Sequence, residues 1–158
     1  MKASTSPKNA SASRISIGQL MQPEHANNLG NVHGGWIMKL VDDAGALACM
    51  RHAQRRVVTV AIDSMVFTHP IRLGDLVLLT AELTRVGRTS MEVEIQVVAE
   101  NPITGERRRT NTAYAVYVAL DDEGAPVPVA PLLAETEDER IRQAEAQERQ
   151  ARRLKEQS

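Results

Sequence analysis

The sequence is poor in cysteine and in aromatic residues, and it contains no long hydrophobic run. Its 158 residues include one Cys, one Trp, one Phe and two Tyr. A single cysteine, Cys49, cannot form an internal disulfide and is typical of a reducing compartment, so we predict a cytoplasmic protein. No apolar stretch has the length that a membrane helix needs, so no membrane partner is expected. With 3% aromatic and 42% hydrophobic residues, the core is expected to be aliphatic.

Charge is nearly balanced along the chain. The 19 Lys and Arg residues stand against 20 Asp and Glu residues, which gives a formal net charge of -1. Such a chain produces no overall field that would attract nucleic acid, so no nucleic-acid partner is predicted. An anionic ligand would have to be held by a local group of basic residues. The length corresponds to a single domain.

Motifs that mark several enzyme classes are also absent. The histidines lack the paired spacing of a zinc site, so no metal is predicted; they are His25, His33, His52 and His69. The chain has no GxSxG element of a serine hydrolase and no GxGxxG or phosphate-loop pattern of a nucleotide enzyme. Cys49 lies in the small-residue stretch AGALACM, and we interpret it as a packing residue rather than an activated thiol.

Composition divides the chain into three parts. Residues 1–14 are Ser-rich and basic and lack the apolar stretch of a secretory signal, so we predict a disordered lead-in, with an organellar transit peptide as the alternative. Residues 15–131 form the predicted domain, which ends in a Pro-rich segment. Residues 132–158 are a charged C-terminal tail, which from Glu135 onward has only Ile141 and Leu154 as sizeable apolar residues, and this tail is predicted to be helical or disordered.

Hydrophobic periodicity predicts one long helix and five strands. The helix runs from Gly35 to about His52. The strands cover Ile15 to Leu20, Val57 to Phe67, Leu76 to Val86, Met91 to Val97 and Thr110 to Leu120. Short turns favour antiparallel order, hence an α+β fold with one sheet on one helix. The alternation in the fourth strand places Glu92 on a wet face. Since one helix covers one face only, a dimer with a continuous sheet is expected.

Gly34 and Gly35 stand where the predicted helix begins. Glycines there allow close approach to the backbone, and the unpaired N–H groups of a helix N-terminus attract negative charge. A substrate carbonyl aimed at these N–H groups would be polarised, and an oxyanion formed from it would be stabilised. The alternative is a plain glycine turn that leads into the helix.

Asp42 and Asp43 fall on opposite shoulders of the helix, so they cannot both point into one pocket. Small residues beside Asp42 would leave room for a substrate or a water; they are Gly45 and Cys49. A partly desolvated carboxylate in that position could act as a general base. Alternatively Asp42 is an ordinary surface residue with Lys39 or His52 as its charge partner. Asp43 is interpreted as the solvated partner of Lys39.

Basic residues cluster at three places near the predicted strands. These are Arg51, Arg55 and Arg56, then Arg85 and Arg88 around Gly87, then Arg107 to Arg109. Arginine forks suit phosphate oxygens, and the turn at Gly87 could add backbone and hydroxyl donors from Thr89 and Ser90. The alternative is a set of solvated turn residues without a role.

Three segments, in this order and spacing, closely resemble the acyl-CoA thioesterase branch of the hotdog superfamily: HANNLGNVHGGWIMKLVDDAG, RVVTVAIDSMVFTHPIRLGD and VGRTSMEVEIQVVAE. The resemblance is nearest to the YciA-type and cytosolic long-chain acyl-CoA hydrolases and covers about Ser16 to Pro128. It implies a sheet wrapped around one long helix, dimers that assemble as trimers of dimers, and acyl-CoA hydrolysis at sites that straddle the dimer interface. Coenzyme A is then part of substrate and product, so no cofactor is implied.

The resemblance also implies roles for individual residues. Asp42 matches the family's catalytic acid on the helix, and Asn27 matches a loop residue that aids catalysis. Gly35 matches the residue whose N–H polarises the thioester carbonyl. Contacts from the partner subunit and to coenzyme A are implied for a second set: Thr59 and Ser64, the turn of Gly87, Arg88, Thr89 and Ser90, and less directly Gly34 and Arg56. His33 departs from the family pattern, and we interpret it as a residue of the loop or pocket rim.

Two other functions are compatible with a hotdog fold. A non-catalytic module that binds acyl-CoA is opposed only by the joint presence of Asn27, Gly35 and Asp42. A hydratase acting on enoyl-CoA would need an Asp and His pair in its own spacing, which the sequence does not contain. The acyl chain length that the protein accepts does not follow from the sequence, because pocket depth depends on packing between subunits.

Overall fold

A five-stranded antiparallel sheet around one long helix forms the body of the protein. The computed structural model describes residues 5–157. The elements are β1 (Lys8–Asn9), a 3-10 turn (Ala10–Ser13), β2 (Ile15–Leu20), a 3-10 turn (Pro23–His25), α1 (Gly34–Ala53), β3 (Arg56–Ile62), β4 (Leu76–Val86), β5 (Ser90–Glu100), β6 (Arg107–Leu120), β7 (Leu132–Leu133) and α2 (Glu137–Glu156). The large sheet has the order β2-β4-β5-β6-β3. The predicted α+β class is confirmed.

The core lies between α1 and the inner face of the sheet and is almost entirely aliphatic. On α1 the fully buried residues are small or branched, among them Ile37, Val41, Ala44 and Ala48. On β5 the inward residues are Met91, Val93, Ile95 and Val97, all without exposed surface, as the alternation predicts. Small side chains on the helix let it lie close to the sheet, which brings helix and strand side chains into direct contact.

The strand after α1 is shorter than the sequence predicts. β3 ends at Ile62 rather than at Phe67. A bulge between Thr59 and Ala61 interrupts its pairing with β6, and beyond Asp63 the ladder gives way to side-chain contacts. There Asn111 donates from its side-chain amide to the carbonyl of Val66. Residues 63–69 therefore leave the sheet as a loop.

Part of the predicted disordered lead-in has a defined structure. Lys8–Asn9 pairs in parallel with Leu132–Leu133, and the Lys8 ammonium donates to the carbonyl of His52 at 2.7 Å. This carbonyl lies in the last turn of α1, where a cation is favourable. The N-terminal segment and the start of the tail thus pair with each other beside the end of α1. The lead-in residues 1–4 lie outside the described part of the chain.

The charged tail forms the helix α2, and this helix is docked on the sheet rather than solvated. Thr136 caps its N-terminus by accepting a hydrogen bond from the Glu139 N–H at 3.1 Å. Toward its C-terminal end, Arg149 and Arg153 reach Glu92, whose side chain is fully buried. Glu92 was expected on a wet face, and this expectation is wrong because the tail covers that face.

The carboxylate of Glu92 is bound by three side chains. Its oxygens accept from Arg149 at 2.8 Å, from Arg153 at 2.6 Å and from the Thr84 hydroxyl at 2.5 Å. The Arg149 guanidinium also lies 3.7 Å from the centre of the Tyr114 ring. A buried carboxylate is tolerated only when it is paired in this way.

Replacing Arg149 by Met should destabilise the fold strongly. The change removes one of the two cations that compensate the buried carboxylate of Glu92, and breaking such a pair costs about 3 kcal/mol. Urea denaturation measures the free energy of unfolding. The control is Arg140→Met on the exposed side of the same helix, which should change it by less than about 0.5 kcal/mol. Equal effects of both changes would contradict the assigned role of Glu92.

Candidate active site

The carboxylate of Asp42 is held by two hydroxyl groups of the sheet. Thr59 Oγ1 donates to Asp42 Oδ1 at 2.8 Å, and the Tyr117 hydroxyl donates to the same oxygen at 3.0 Å. The Tyr117 hydroxyl also lies 3.1 Å from the backbone carbonyl of Asp42. Within residues 5–157 no hydrogen bond reaches Asp42 Oδ2. One oxygen is therefore fixed, while the other is available to water or substrate.

The two donors lie together because of the sheet register. Thr59 on β3 pairs directly with Tyr117 on β6, so both side chains point from the same face toward α1. Thr59 was expected to serve the site of a partner subunit. In this structure it contacts Asp42 of its own chain.

Gly45 makes the approach of Tyr117 possible. A Cβ atom at this position would lie 2.9 Å from Tyr117 Cε2 and closer still to the hydroxyl oxygen. The sequence predicts free space for substrate beside Asp42 on the side of Gly45. That prediction is wrong, because the phenol of Tyr117 occupies the space.

Tyr117 belongs to the site although no sequence motif pointed to it. It is fully buried, and burial, followed by the negative charge of Asp42, raises the pKa of its phenol well above the ordinary value. Tyr117 therefore stays protonated and acts as a donor. A usable signal was present, since Tyr114 and Tyr117 are the only tyrosines and a buried tyrosine hydroxyl requires a partner.

Asp43 behaves as predicted. Its carboxylate accepts from the Lys39 ammonium at 2.7 Å, one helical turn away, and both side chains are about half exposed. The helix thus separates a solvated ion pair from the carboxylate that faces the sheet. The two carboxylates therefore point to different sides of the helix, as its geometry predicts.

The N–H of Gly35 is already engaged. His33 is the N-cap of α1, and its Nδ1 accepts from the Gly35 N–H at 2.8 Å. His33 therefore does more than line a pocket rim, because it covers the donor that was expected to polarise a carbonyl. The N–H of the neighbouring Gly34 makes no hydrogen bond within the described residues. A carbonyl oxygen can reach Gly35 only if the His33 ring turns away.

Asn27 is held in a short loop that leads to the helix. Its side-chain Oδ1 accepts from the N–H groups of Leu29 at 2.9 Å and Asn31 at 3.2 Å. Ala26 and Val32 pair as an isolated bridge just before His33. The Asn27 amide nitrogen has no partner in the described part of the chain, so it is the group that could face a substrate.

An apolar cavity of about 270 Å³ opens beside the start of α1. Its lining includes Gly34, Ile37, Phe67 and Ile71. The Phe67 ring is close to Gly34, since a Cβ atom there would lie 3.5 Å from it. The aromatic ring therefore lies over the helix N-terminus, at a distance that leaves ordinary van der Waals room at position 34.

The residues implied in contacts with coenzyme A lie in separate places. Arg56 donates to the carbonyls of Asp121 and Asp122 at 2.9 and 3.0 Å, and thus holds a turn. Gly87 and Ser90 close the β4–β5 turn through a 2.8 Å backbone bond, with Arg88 exposed and Thr89 half-buried between them.

The β4–β5 turn lies toward the C-terminal end of α1. The carbonyl of Arg88 accepts from Val129, and His52 contacts the carbonyl of the adjacent Ala130 at 2.7 Å. Ser64 lies elsewhere, in a cleft of about 430 Å³ lined partly by arginines of α2. Within a single chain these residues do not form one phosphate site.

Cys49 is buried and takes no part in the site. Burial raises the pKa of its thiol well above the ordinary value, so it is not an activated nucleophile. Within residues 5–157 no three His, Cys, Asp or Glu side chains lie close enough to hold a metal ion. No helix in that range is long and apolar enough to cross a membrane.

Replacing Gly45 by Ala should destabilise the protein by about 1–3 kcal/mol, because the new methyl group overlaps the Tyr117 ring. Gly→Ala inside a helix ordinarily stabilises by about 1 kcal/mol, so the sign is diagnostic. Thermal or urea denaturation measures the change. Combining Gly45→Ala with Tyr117→Phe should recover part of the loss, and a stabilising single change would refute the close approach.

The sequence of this chain is similar to that of known proteins. Residues 29–106 match the family described as Thioesterase superfamily. The Bacillus subtilis protein named uncharacterized acyl-CoA thioester hydrolase YkhA is 41% identical over 117 residues, which cover 74% of this chain and 68% of the relative.

Two solved structures show the same architecture. An apo-hexameric acyl-CoA thioesterase has a TM-score of 0.92 at 35% identity, covering 97% of this chain and 98% of the other. A Staphylococcus aureus acyl-CoA hydrolase in complex with butyryl coenzyme A, coenzyme A and coenzyme A disulfide has a TM-score of 0.84 at 30% identity, covering 95% and 94%. Variants of that enzyme with an aspartate, an asparagine or a threonine changed to alanine have also been solved. The predicted hotdog fold is thereby confirmed, and the chain belongs to the thioesterase superfamily.

Proposed function

We propose that this protein hydrolyses acyl-CoA thioesters to a carboxylic acid and coenzyme A, with Asp42 as the reacting carboxylate. The observation that carries the proposal is the geometry of Asp42, whose Oδ1 accepts from Thr59 and Tyr117 while Oδ2 has no hydrogen bond within the described residues. A carboxylate oriented through one oxygen presents the other in a fixed direction, which suits catalysis by proximity.

The names of related proteins support the substrate class. The Bacillus relative is named an acyl-CoA thioester hydrolase, and the Staphylococcus relative is an acyl-CoA hydrolase seen with butyryl coenzyme A. The three residue types changed to alanine in that relative are those of Asp42, Asn27 and Thr59. A cytoplasmic location and a role in fatty acid metabolism fit this substrate class and are part of the proposal.

Two routes fit the free oxygen of Asp42. As a general base, Oδ2 takes a proton from water, the hydroxide attacks the thioester carbonyl, and the thiolate of coenzyme A leaves and is protonated. As a nucleophile, Oδ2 attacks the carbonyl, the thiolate leaves, and water then hydrolyses the mixed anhydride. In both routes Tyr117 and Thr59 orient the carboxylate.

The oxyanion is expected at the N-terminus of a helix, at the N–H of Gly35 or Gly34. Gly35 and Asp42 are two turns apart on α1, so they are separated by about 10 Å along the axis. One thioester carbonyl cannot touch both groups of the same chain. We therefore infer that Gly35 and Asn27 of one subunit act together with Asp42 of another, after His33 has released the Gly35 N–H.

The apolar cavity at the start of α1 is the proposed acyl site. It lies beside Gly34 and is closed by Phe67, so an acyl chain in it would leave the thioester carbonyl near the helix N-terminus. The phosphates of coenzyme A are proposed to contact the turn of Gly87, Arg88, Thr89 and Ser90, with Ser64 and Arg56 as further contacts, once subunits bring these regions together.

The exposed edge of the sheet supplies the subunit interface in this proposal. β3 is an edge strand, and its Val58 and Val60 are 45% and 53% exposed. An unprotected apolar edge strand is suited to pairing with a second copy. A dimer through β3, and a trimer of such dimers, agrees with the hexameric state of the solved relative.

A non-catalytic acyl-CoA-binding module remains the second candidate. The contact between His33 and the Gly35 N–H favours it, because that contact covers an oxyanion donor. An assay of thiol release against a series of acyl-CoA chain lengths separates the two. Binding without thiol release would favour the module.

Asp42→Asn should abolish hydrolysis and leave binding of coenzyme A intact. The amide cannot take a proton from water or form an anhydride, but it has nearly the same size. Thiol release measures turnover, and calorimetric titration with coenzyme A measures binding. As a matched control, Asp43→Asn removes only the solvated pair with Lys39 and should retain activity. An active Asp42→Asn enzyme would refute the assignment.

Isotope transfer distinguishes the two routes. Under single-turnover conditions in ¹⁸O-labelled water, an anhydride that water attacks at the Asp42 carbonyl carbon leaves label in the Asp42 carboxylate, which peptide mass spectrometry detects. The general-base route places label only in the released acid.

Val58→Lys should disrupt assembly and reduce activity. A charge on the exposed edge of β3 opposes strand pairing between subunits, and a site that needs two subunits is lost with the dimer. Sedimentation velocity measures the oligomeric state, with thiol release measured in parallel. Ile103→Lys is the control, because Ile103 is 91% exposed on the β5–β6 hairpin, and β3 pairs only with the opposite end of β6, from Ala115 to Leu120. An assembled Val58→Lys protein would contradict the interface.

A further inference from the structure

We propose that α2 fixes the wall of the acyl cavity through Arg153, and that Arg153 is a positioning residue for long acyl chains. The wall is the loop of residues 63–69, called here the closing loop. This inference rests on the proposed function, since it assigns the cavity to the acyl group. It concerns a helix that lies outside the residues matched to the family.

Arg153 joins the closing loop to the sheet. Its Nε and Nη2 donate to the two carboxylate oxygens of Asp63 at 2.9 and 2.8 Å, and Nη2 also donates to Glu92 Oε2 at 2.6 Å. The Arg153 side chain is 10% exposed. A bidentate, charge-assisted pair of this kind fixes direction as well as distance. Asp63 is thereby tied to β5 through α2.

The first residue of the closing loop has few other restraints. Within one chain β3 is an edge strand, so its end is supported by β6 on one side only. The Asp63 N–H donates to the carbonyl of Tyr114 at 2.9 Å, which is the last backbone bond of this ladder. Arg153 supplies the side-chain bonds that hold Asp63 from the outer face of the sheet.

The rest of the closing loop carries Phe67 to the helix N-terminus. Asn111 binds the carbonyl of Val66, and the Thr68 hydroxyl donates to the carbonyl of Thr110 at 3.3 Å. Phe67 then lies over Gly34 and lines the cavity, although its side chain is 45% exposed. A half-exposed aromatic residue is held in place by its loop rather than by burial. In this proposal, release of Asp63 loosens the loop that carries Phe67 and so changes the wall of the cavity.

Other contacts of α2 do not reach the closing loop. Arg142, earlier on the same helix, pairs at 3.2 Å with Glu82 of β4, near the opposite side of the sheet. Arg142 and Arg153 thus both dock α2, but among the hydrogen bonds of the described residues it is Arg153 that joins α2 to the loop. Replacing Arg142 therefore tests the docking of α2 alone, whereas replacing Arg153 also tests the position of the cavity wall.

The test compares Arg153→Gln with Arg142→Gln in the full-length protein. With Arg153→Gln, KM for lauroyl-CoA should rise roughly tenfold, the equivalent of losing contact with about two methylene groups, while KM for butyryl-CoA should rise by less than about threefold. Phe67→Ala should give the same chain-length pattern. Arg142→Gln should lower stability without changing the ratio of the two KM values.

Hydrogen exchange supplies a readout that does not depend on turnover. Amides of residues 63–69 should exchange faster in Arg153→Gln than in Arg142→Gln. Asp63→Asn removes the charge on the loop side of the contact and leaves Glu92 paired with both Arg149 and Arg153. This variant should therefore fold even if Arg153→Gln does not. The double variant Asp63→Asn with Arg153→Gln should show non-additive effects on KM for lauroyl-CoA.

Several outcomes would overturn the inference. One is an unchanged ratio of the two KM values in both Arg153→Gln and Asp63→Asn. Another is that residues 63–69 exchange equally fast in Arg153→Gln and Arg142→Gln. The third is fully additive effects on KM in the double variant. Failure of the proposed function gives a different result, because the unmodified protein would then release no thiol from either substrate while the exchange difference would persist.

Discussion

The Tyr117 hydroxyl reaches Asp42 because α1 presents no side chain at Gly45. A Cβ atom there would overlap the phenol, so helix and sheet could not approach as closely at this level. The neighbouring Ala44 and Ala48 are fully buried and equally small, which extends the close approach along the helix. The orientation of the candidate catalytic carboxylate thus depends on helix packing, and packing in turn depends on a row of small residues.

The sheet carries polar groups on both faces at nearly the same level. Met91 of β5 pairs with Tyr117 of β6, which pairs with Thr59 of β3. The residue after Met91 is Glu92, whose side chain points to the opposite face because successive residues of a strand alternate. Two arginines of α2 therefore bind the sheet directly behind Asp42. The Asp42 carboxylate is thus held at the inner face of the sheet, and the ion pairs of Glu92 with Arg149 and Arg153 lie on the outer face.

The fold could largely be predicted from the sequence because the periodic segments are long. The helical spacing around Asp42 and the alternation in Met91 to Val97 each identify a buried face without reference to any other element. The same helical geometry separates Asp42 from Asp43. These predictions concern neighbours along the chain, where spacing alone determines which residues share a face.

What the sequence could not supply are contacts between distant segments. Glu92 is buried by Arg149 and Arg153, which lie 57 and 61 positions further along the chain. The alternation of apolar and polar residues around Glu92 is the same as in a strand with one solvent-exposed face, so it gave no sign of this burial. Likewise, the space beside Gly45 is filled from β6. The His33 cap was missed for a different reason, because Ser, Thr, Asp and Asn are the usual capping residues and a histidine gives a weak signal.

The spacing of the site residues on α1 constrains the assembly as well as the chemistry. Since Gly35 and Asp42 are separated by two turns, no rearrangement of side chains within one chain brings the helix N-terminus and the carboxylate to the same carbonyl. The alternatives are a site that uses only one of these groups or a site built from two chains. The exposed valines of β3 favour the second, because an apolar edge strand is suited to pairing with another copy and Thr59, between these valines, holds the Asp42 carboxylate. In the proposed dimer, the edge strand that would be prone to aggregation in a single chain completes the site.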